Sequence, residues 1–457
     1  MDDRLRILSD FIYNLNFKSL SEEVVKTTKQ YIADYYASSF AGKLINSKFS
    51  NVVEKVINET GDYGTCSVLC SRKKYSAETS AFINAIYAHG ADMDDGNKKA
   101  MGHVAAHVIS TAFSVGEEIQ ASGKEIISSI IAGYEIYNRV AASVQPGLVH
   151  RGFHSTGTAG AIACAAVASK LYKLDKHQIY NAMSFASVQA SGLIIIAESG
   201  QTCKPINPAN AARTGIFSAK CAREGIEAPT YTLESKKGWA HAMSDTIDDE
   251  LLLGGLGNTF TILESYLKPY PSCRHTHCGI EALIRIREQI LNDGDEIDNI
   301  SSIKLFIYKN AISIAGSIKY PRSNEDTKFS IHYSCACAMY RGKFGLEDLN
   351  ISNLDKNIES IINKITLIED NSLEDVKKGI RGAKVHVLMN NGKTYSHSVM
   401  VPKGDPANPF SDEDVYEKLT ICSSAFNVDS KWLFNNIYKF DLIDKFHGIN
   451  SLMEVQK

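Results

Sequence analysis

Residues 157–168 read Gly157-Thr158-Ala159-Gly160-Ala161-Ile162-Ala163-Cys164-Ala165-Ala166-Val167-Ala168, a run in which Ile162 is the bulkiest side chain. Alanine favours helix more than any other residue. A helix that is small on every side can approach its neighbours closely, so this run predicts the buried centre of a bundle. Ala182–Gly192 is a second run rich in Ala, Gly and Ser. Around these two, apolar residues recur at helical spacing through Ser76–Ala88, Val104–Ile119, Gly123–Val144, Thr158–Leu171, Asp175–Ala190 and Pro208–Arg223. Another helix is expected from Ser19 to Gly42, with Ser19-Leu20-Ser21-Glu22 as a capping box and Gly42 as the stop.

After Gly257 the period changes. Ile303, Leu305 and Ile307 alternate with Lys304 and Phe306, Ile365–Ile368 is a short strand, and Ala383–Met389 and Thr394–Val401 flank Asn390-Asn391-Gly392-Lys393. Asn-Gly between two such runs is the strongest short-range hairpin signal. Helical spacing returns after Pro402–Pro409, capped by Ser411-Asp412-Glu413-Asp414. The expected fold is therefore mainly α with a smaller α+β domain. A large helical bundle is built from both chain ends, residues 1–263 and 403–457, and the α+β domain is inserted at residues 264–402.

Composition narrows the function classes. The 457 residues suit two or three domains, and 44% hydrophobic with 22% charged residues is ordinary for a soluble globular chain. With 49 Lys+Arg against 52 Asp+Glu the net charge is -3, too even for a protein held to nucleic-acid phosphates. Ten cysteines are too few for a disulfide framework, and Met1–Arg6 lacks the apolar segment of a signal peptide, so a cytoplasmic location is expected. The apolar stretch around Leu193–Ala197 is too short to span a bilayer.

Four clusters carry candidate chemistry. His89-Gly90-Ala91-Asp92-Met93-Asp94-Asp95, followed by His103 and His107, could orient a general base or hold a divalent cation; a solvated acidic loop is the plain alternative. Asp92-Met93-Asp94-Asp95 also fits the Asp-x-Asp-Asp donor of helical terpene cyclases, but two tryptophans offer little to stabilise a carbocation. His150–Thr158 opens the small-residue helix, a natural carboxylate or phosphate site, or simply an N-cap at Ser155 or Thr156. Lys204 stands alone in a loop, where lysines are usually solvated. Lys268-Pro269-Tyr270-Pro271-Ser272-Cys273-Arg274-His275-Thr276-His277-Cys278 packs two cysteines and two histidines into six residues, but one tight run cannot wrap a tetrahedral zinc ion. Lys268, Arg274 and His277 instead make a cationic patch suited to a substrate with several carboxylates.

Taken in order, these motifs resemble the MmgE/PrpD family. The resemblance rests on His89–Asp95 with His103, Gly152-Phe153-His154-Ser155-Thr156-Gly157-Thr158, Lys204, Lys268–Pro271 with Cys273-Arg274 and His277, Lys328-Phe329-Ser330-Ile331-His332-Tyr333, and Pro402–Pro409. Known members include 2-methylcitrate dehydratase, iminodisuccinate epimerase and cis-aconitate decarboxylase. The resemblance implies that the inserted α+β domain is a lid and that the active site lies beneath it. It further implies a homodimer, and catalysis without an iron–sulfur cluster; no metal or other cofactor is expected either, since no cysteine pair has ligand spacing and the candidate cations are Lys and Arg. It places Asp92, His103, His154, Lys204, Lys268 and Tyr333 in the active site, with Arg274 and His277 as further substrate contacts. Two positions depart from the family pattern: Gly96-Asn97 replaces a usual Thr after the paired aspartates, and Val104-Ala105 follows the loop histidine.

The implied chemistry is consistent with these residue types. Negative charge developing on a carbon beside a carboxylate is costly unless fixed cations face it, a role for Lys204, Lys268 and Arg274. His103 is the expected proton-transfer group with Asp92 fixing its tautomer, while His154 and Tyr333 would orient a carboxylate or protonate a leaving group. A dehydratase of a small di- or tricarboxylate such as 2-methylcitrate is the first expectation, an epimerase or decarboxylase the alternative. An inactive family member acting as a binding protein is the reading from outside the enzyme class.

Overall fold

The computed structural model describes residues 3–198, 201–375 and 379–453. The small-residue helix, Ser155–Leu171, is buried along almost its whole length and packs against Gly123–Ala142, Lys176–Gln189, Ala105–Glu118 and Ile206–Arg223. The last of these contacts is the tightest. A Cβ added at Gly215 would lie 2.3 Å from Cys164 Cβ, so the pair can cross at this distance only because one side chain is a hydrogen.

Sequence-local capping explains several helix starts. Ser76 accepts from the Thr79 amide, and Ser122/Glu125, Asp175/Gln178 and Ser411/Asp414 form reciprocal capping boxes. Two expectations are corrected. The helix placed at Ser19–Gly42 runs from Glu22 to Ile45 and is capped by Ser21, while Ser19 lies in a preceding 3-10 turn. Gly42 does not stop it. A Cβ there would sit 1.8 Å from the Tyr87 carbonyl oxygen, so this glycine marks a crossing with the helix Ala77–His89 and lets that helix deliver His89 to the interior. Pro208 lies inside the helix Ile206–Arg223, in its first turn, where no intrahelical amide donor is required.

The described residues form two apolar cores. One draws on residues from Leu5 to Leu267 and again from Phe410 to Leu452. The second spans Cys278–Val399. In the second, a four-stranded sheet has the order Thr394–Val399, Ala383–Met389, Ile300–Ile307, Ile365–Glu369. The hairpin and its neighbour pair antiparallel, while Ile300–Ile307 and Ile365–Glu369 are parallel. Helices His277–Asn292 and Ile331–Arg341 pack together, and His277–Asn292 also covers the hairpin. Helix Asp412–Ser423 returns to Glu22–Ile45, where buried Lys418 donates to Asp34 at 2.5 Å and to the Met93 carbonyl at 2.7 Å. Thus the returning segment pins the acidic loop. Among the described residues, no helix is long and apolar enough to cross a membrane.

Candidate active site

The loop between Ala77–His89 and Ala105–Glu118 is not solvated. Asp92 is 2% exposed, and Asp94 and Asp95 are fully buried. Asp95 holds the local structure together. Its carboxylate accepts from the Val104 and Ala105 amides at 3.1 and 2.8 Å, capping the next helix, and from the Tyr134 hydroxyl at 2.7 Å. Its backbone carbonyl does something else. It lies 2.7 Å from His103 Nδ1, and a carbonyl can only accept, so Nδ1 carries the hydrogen and Nε2 keeps its lone pair. Asp92, expected to fix this tautomer, does not do so; its nearest oxygen is 3.9 Å from Nε2.

Asp92 is instead held between two ammonium groups. Lys204 donates to Oδ1, and Lys268 donates to Oδ2 at 3.1 Å and to the Asp92 carbonyl at 2.8 Å. Asp92 adopts φ 52°, a backbone region rare outside glycine, to meet both. Burial alone would raise its pKa, but Lys204 and Lys268 together overcome this and hold the carboxyl well below the usual range. Lys204 and Lys268 are 6% and 1% exposed, so the lone loop lysine is buried rather than solvated. Two ammoniums against one carboxylate leave net positive charge in a site screened from water.

His154 precedes the small-residue helix and leaves its capping to others. Its Nδ1 lies 3.0 Å from the Asn207 side-chain amide nitrogen, which donates; Nδ1 is thus the acceptor and Nε2 the protonated nitrogen. His103 and His154 therefore occupy opposite tautomers. Burial lowers both pKa values well below the ordinary histidine value, aided by Lys268 and Lys204 at His103 and by Lys204 at His154, so both rings stay neutral.

His89, Asp94 and His103 can bring one donor atom each within 4.8 Å of one another, a separation compatible with a divalent cation. The hydrogen that the Asp95 carbonyl requires on His103 Nδ1 takes that nitrogen out of the ligating set.

Three expected residues make their hydrogen bonds outside this cluster, although His277 still feels the charges of Lys268 and Asp92. Tyr333 lies in the second core, its ring against Phe344 and its hydroxyl donating to the Asp348 carbonyl at 2.8 Å. The helix starting at Ile331 turns that side chain inward, and the lysine that begins the same motif reaches across instead: Lys328 donates to the Gly90 carbonyl at 2.9 Å and to Glu325 at 2.7 Å. His277 has both nitrogens engaged, Nδ1 with Arg274 at 3.2 Å and Nε2 with the Ser272 carbonyl at 3.2 Å. Arg274 lies over the Tyr266 ring and turns to the Lys403 carbonyl and to Asp405 at 3.6 Å. It ties the Lys268–Cys278 segment to the returning strand of chain. Sequence reasoning gave Lys328 no role, and named His89 and Asp94 only within a cluster that could orient a base or hold a cation. The available signal was charged residues set among Gly90, Ala91 and Met93, a context too apolar for a solvated loop.

The departures have a local account. Gly96 and Asn97 pair with Tyr266 and Ser265, and a Cβ at Gly96 would lie 2.5 Å from the Tyr266 hydroxyl. Asn97 accepts from the Lys99 and Ala100 amides at 2.9 and 3.0 Å, closing the loop that presents His103.

Residues 6–251 match the MmgE/PrpD N-terminal domain and residues 270–431 the MmgE/PrpD C-terminal domain. A cis-aconitate decarboxylase-like protein, oryM, from Aspergillus oryzae is 25% identical over 93% of this chain and 91% of its own length. The cis-aconitate decarboxylase of Aspergillus terreus is 23% identical over 92% and 89%, and that of Homo sapiens 22% over 89% and 85%.

Proposed function

Since the chain belongs to the MmgE/PrpD family, we propose that it is a cofactor-independent lyase that dehydrates a small di- or tricarboxylate of the 2-methylcitrate type. The observation that carries this reading is the tautomer of His103, whose Nε2 lone pair stands 3.9 Å from Asp92 beside two buried ammoniums. Nε2 takes a proton from the carbon next to a carboxylate, and the electron pair left behind forms the carbon–carbon double bond. The carbon–oxygen bond breaks, and hydroxide leaves as water with the proton that His103 has accepted, which returns the ring to its neutral form. Lys204 and Lys268 balance the charge that builds on the neighbouring carboxylate, where fixed cations act most strongly in the absence of water. His154 presents Nε2–H to a substrate oxygen.

A second reading, cis-aconitate decarboxylation, is favoured by the activity that the relatives' names carry. There the carbon–carbon bond to a carboxylate breaks, carbon dioxide leaves, and the electron pair is protonated at carbon. This requires His103 to start as the acid, which a polyanionic substrate would promote. Incubation with 2-methylcitrate, citrate, cis-aconitate and iminodisuccinate in deuterated buffer containing a chelator distinguishes the readings. Dehydration gives an unsaturated acid without carbon dioxide; release of carbon dioxide with solvent deuterium in the product selects the second reading. Deuterium exchange without net elimination selects epimerisation, and inertness toward all four acids leaves the binding-protein reading.

The partner we assign is a second copy of the chain, joined through the helical side. Val188 and Phe217 are 56% and 48% exposed on adjacent helices, and Phe185 packs against Phe217. Sedimentation at micromolar concentration is expected to give a dimer that Phe217→Glu dissociates; a monomeric parent protein would refute the assignment.

A further inference from the structure

We propose that Asp94, held in place by His89, is the positioning carboxylate of His103 and the counter-charge that lets this ring accept a proton. The inference deepens the reading of His103 as the proton-transfer group and rests on it. Asp92 cannot play this part, because its two oxygens are committed to Lys204 and Lys268. Asp94 lies on the opposite side of the ring. Its Oδ2 is 2.8 Å from His89 Nδ1 and its Oδ1 is 3.4 Å from His103 Nδ1. The His89 and His103 rings meet edge to face at 4.7 Å between centroids, so neither can swing without displacing the other.

The second observation is an orphan. Asp94 Oδ1 is completely buried and has no hydrogen-bond partner among the described residues, although it faces His103. Such an atom is costly to hold in a folded interior unless a charge arises beside it. The Nδ1 hydrogen goes to the Asp95 carbonyl, so Asp94 acts on His103 through its charge. When Nε2 takes a proton, the imidazolium charge spreads over the ring to Nδ1 and the carboxylate stabilises it. His89 sets where Asp94 points and completes the relay His89–Asp94–His103.

Burial pushes the Asp94 carboxyl up to about 7. The groups that face it are Lys268, Lys204 and Asp92, Asp34 with its partner Lys418, Asp95 from its own loop, and the two histidines. The group therefore gains its charge as pH rises through that region, together with Asp95, whose carboxyl burial also pushes up to about 7. Only the ionised form supports the imidazolium, so turnover should rise with pH through about 7.

The test uses the full chain and two readouts. With whichever acid the wild type converts, Asp94→Asn is expected to lower kcat by about 10- to 100-fold, as part of the base's contribution is lost. KM should stay within about threefold, and the acid limb near neutrality should vanish. His89→Leu should reproduce the loss, and His89→Asn, which keeps a donor at the Nδ1 position, should restore much of it. A merely structural role would lower all pH values alike. The second readout needs no turnover: nitrogen-15 spectra of the histidine rings, assigned by His103→Gln and His89→Gln, should show a step near neutrality at both rings in wild type and none in Asp94→Asn. Absence of that step in wild type, or its survival in Asp94→Asn, overturns the proposal even if the variant folds poorly. Inertness toward every acid would instead refute the lyase reading and leave the spectra to judge Asp94.

Discussion

His103→Gln is expected to lower turnover by about 10²- to 10⁴-fold, the contribution of a positioned acid–base group, with KM little changed. Three features concentrate the chemistry on this residue. The Asp95 carbonyl assigns the hydrogen to Nδ1, burial and the adjacent Lys268 and Lys204 keep the ring neutral, and Nε2 is left with a lone pair beside the cationic site. Glutamine retains polarity but accepts no proton near neutral pH. The His103 side chain is only 12% exposed, so circular dichroism should confirm that the glutamine variant, which can still donate to the Asp95 carbonyl, stays folded. Near-normal turnover would move the base to His154, whose ring would then need the opposite tautomer from the one Asn207 imposes.

Lys268→Met is expected to lower turnover by about 10²- to 10³-fold, the effect of removing one pre-set charge stabiliser. It should also reduce stability by up to about 3 kcal/mol, because a buried carboxylate loses one of its two partners. The methionine fills the space but cannot donate to the Asp92 carbonyl or to Oδ2. The sign with pH follows from Asp92. Its folded pKa lies below that of a free aspartate, so its stabilisation is present above the unfolded pKa and is lost as pH falls through the folded one. With Lys204 as the sole remaining ammonium the folded pKa rises, and acid denaturation should begin at a higher pH than in the parent. Turnover should be measured at a temperature where the variant is shown to be folded. Unchanged turnover in a folded Lys268→Met would refute the charge-stabilising role, and a shift of acid denaturation alone would leave Lys268 as a structural partner of Asp92.

The burial of this site has a consequence for access. Asp92, His154, Lys204 and Lys268 are all nearly sealed, and Lys328 reaches from the second core to the Gly90 carbonyl. A carboxylate of the class proposed above would therefore have to rearrange contacts between the two cores before meeting Lys204 and Lys268, and would favour reclosure by adding contacts to the same cations.

Much of the architecture is local and legible in the sequence. The Ala- and Gly-rich run of residues 157–168 is useful only between other helices, and Asn391-Gly392 with flanking alternation specifies the hairpin because few turns accept that geometry. Helix starts at Ser76, Ser122, Asp175 and Ser411 follow from side chains three residues from the amides they cap. Gly42 reads as a stop because a stop signal and a close crossing look identical in one dimension. The Tyr87 carbonyl that requires the glycine lies on another helix.

For the site, the residue types are legible in the sequence and their partners are not. Spacing alone puts Asp92, Asp94, Asp95 and His103 in the loop that follows the helix ending at His89, and the motif order singles out His154, Lys204 and Lys268. Which carboxylate serves which base is decided by contacts between distant segments. Lys204 and Lys268 arrive from far along the chain and occupy Asp92, leaving Asp94 to face His103. Tyr333, Arg274 and His277 bond elsewhere for the same reason: their partners Asp348, Asp405 and Ser272 come from the tertiary fold and the local turn. Helix period, caps and turns depend on neighbours a few residues away, so the sequence by itself determined the helical bundle and the α+β insert. The pairing of buried charges depends on distances that chain separation does not encode, and only the tertiary structure decided it.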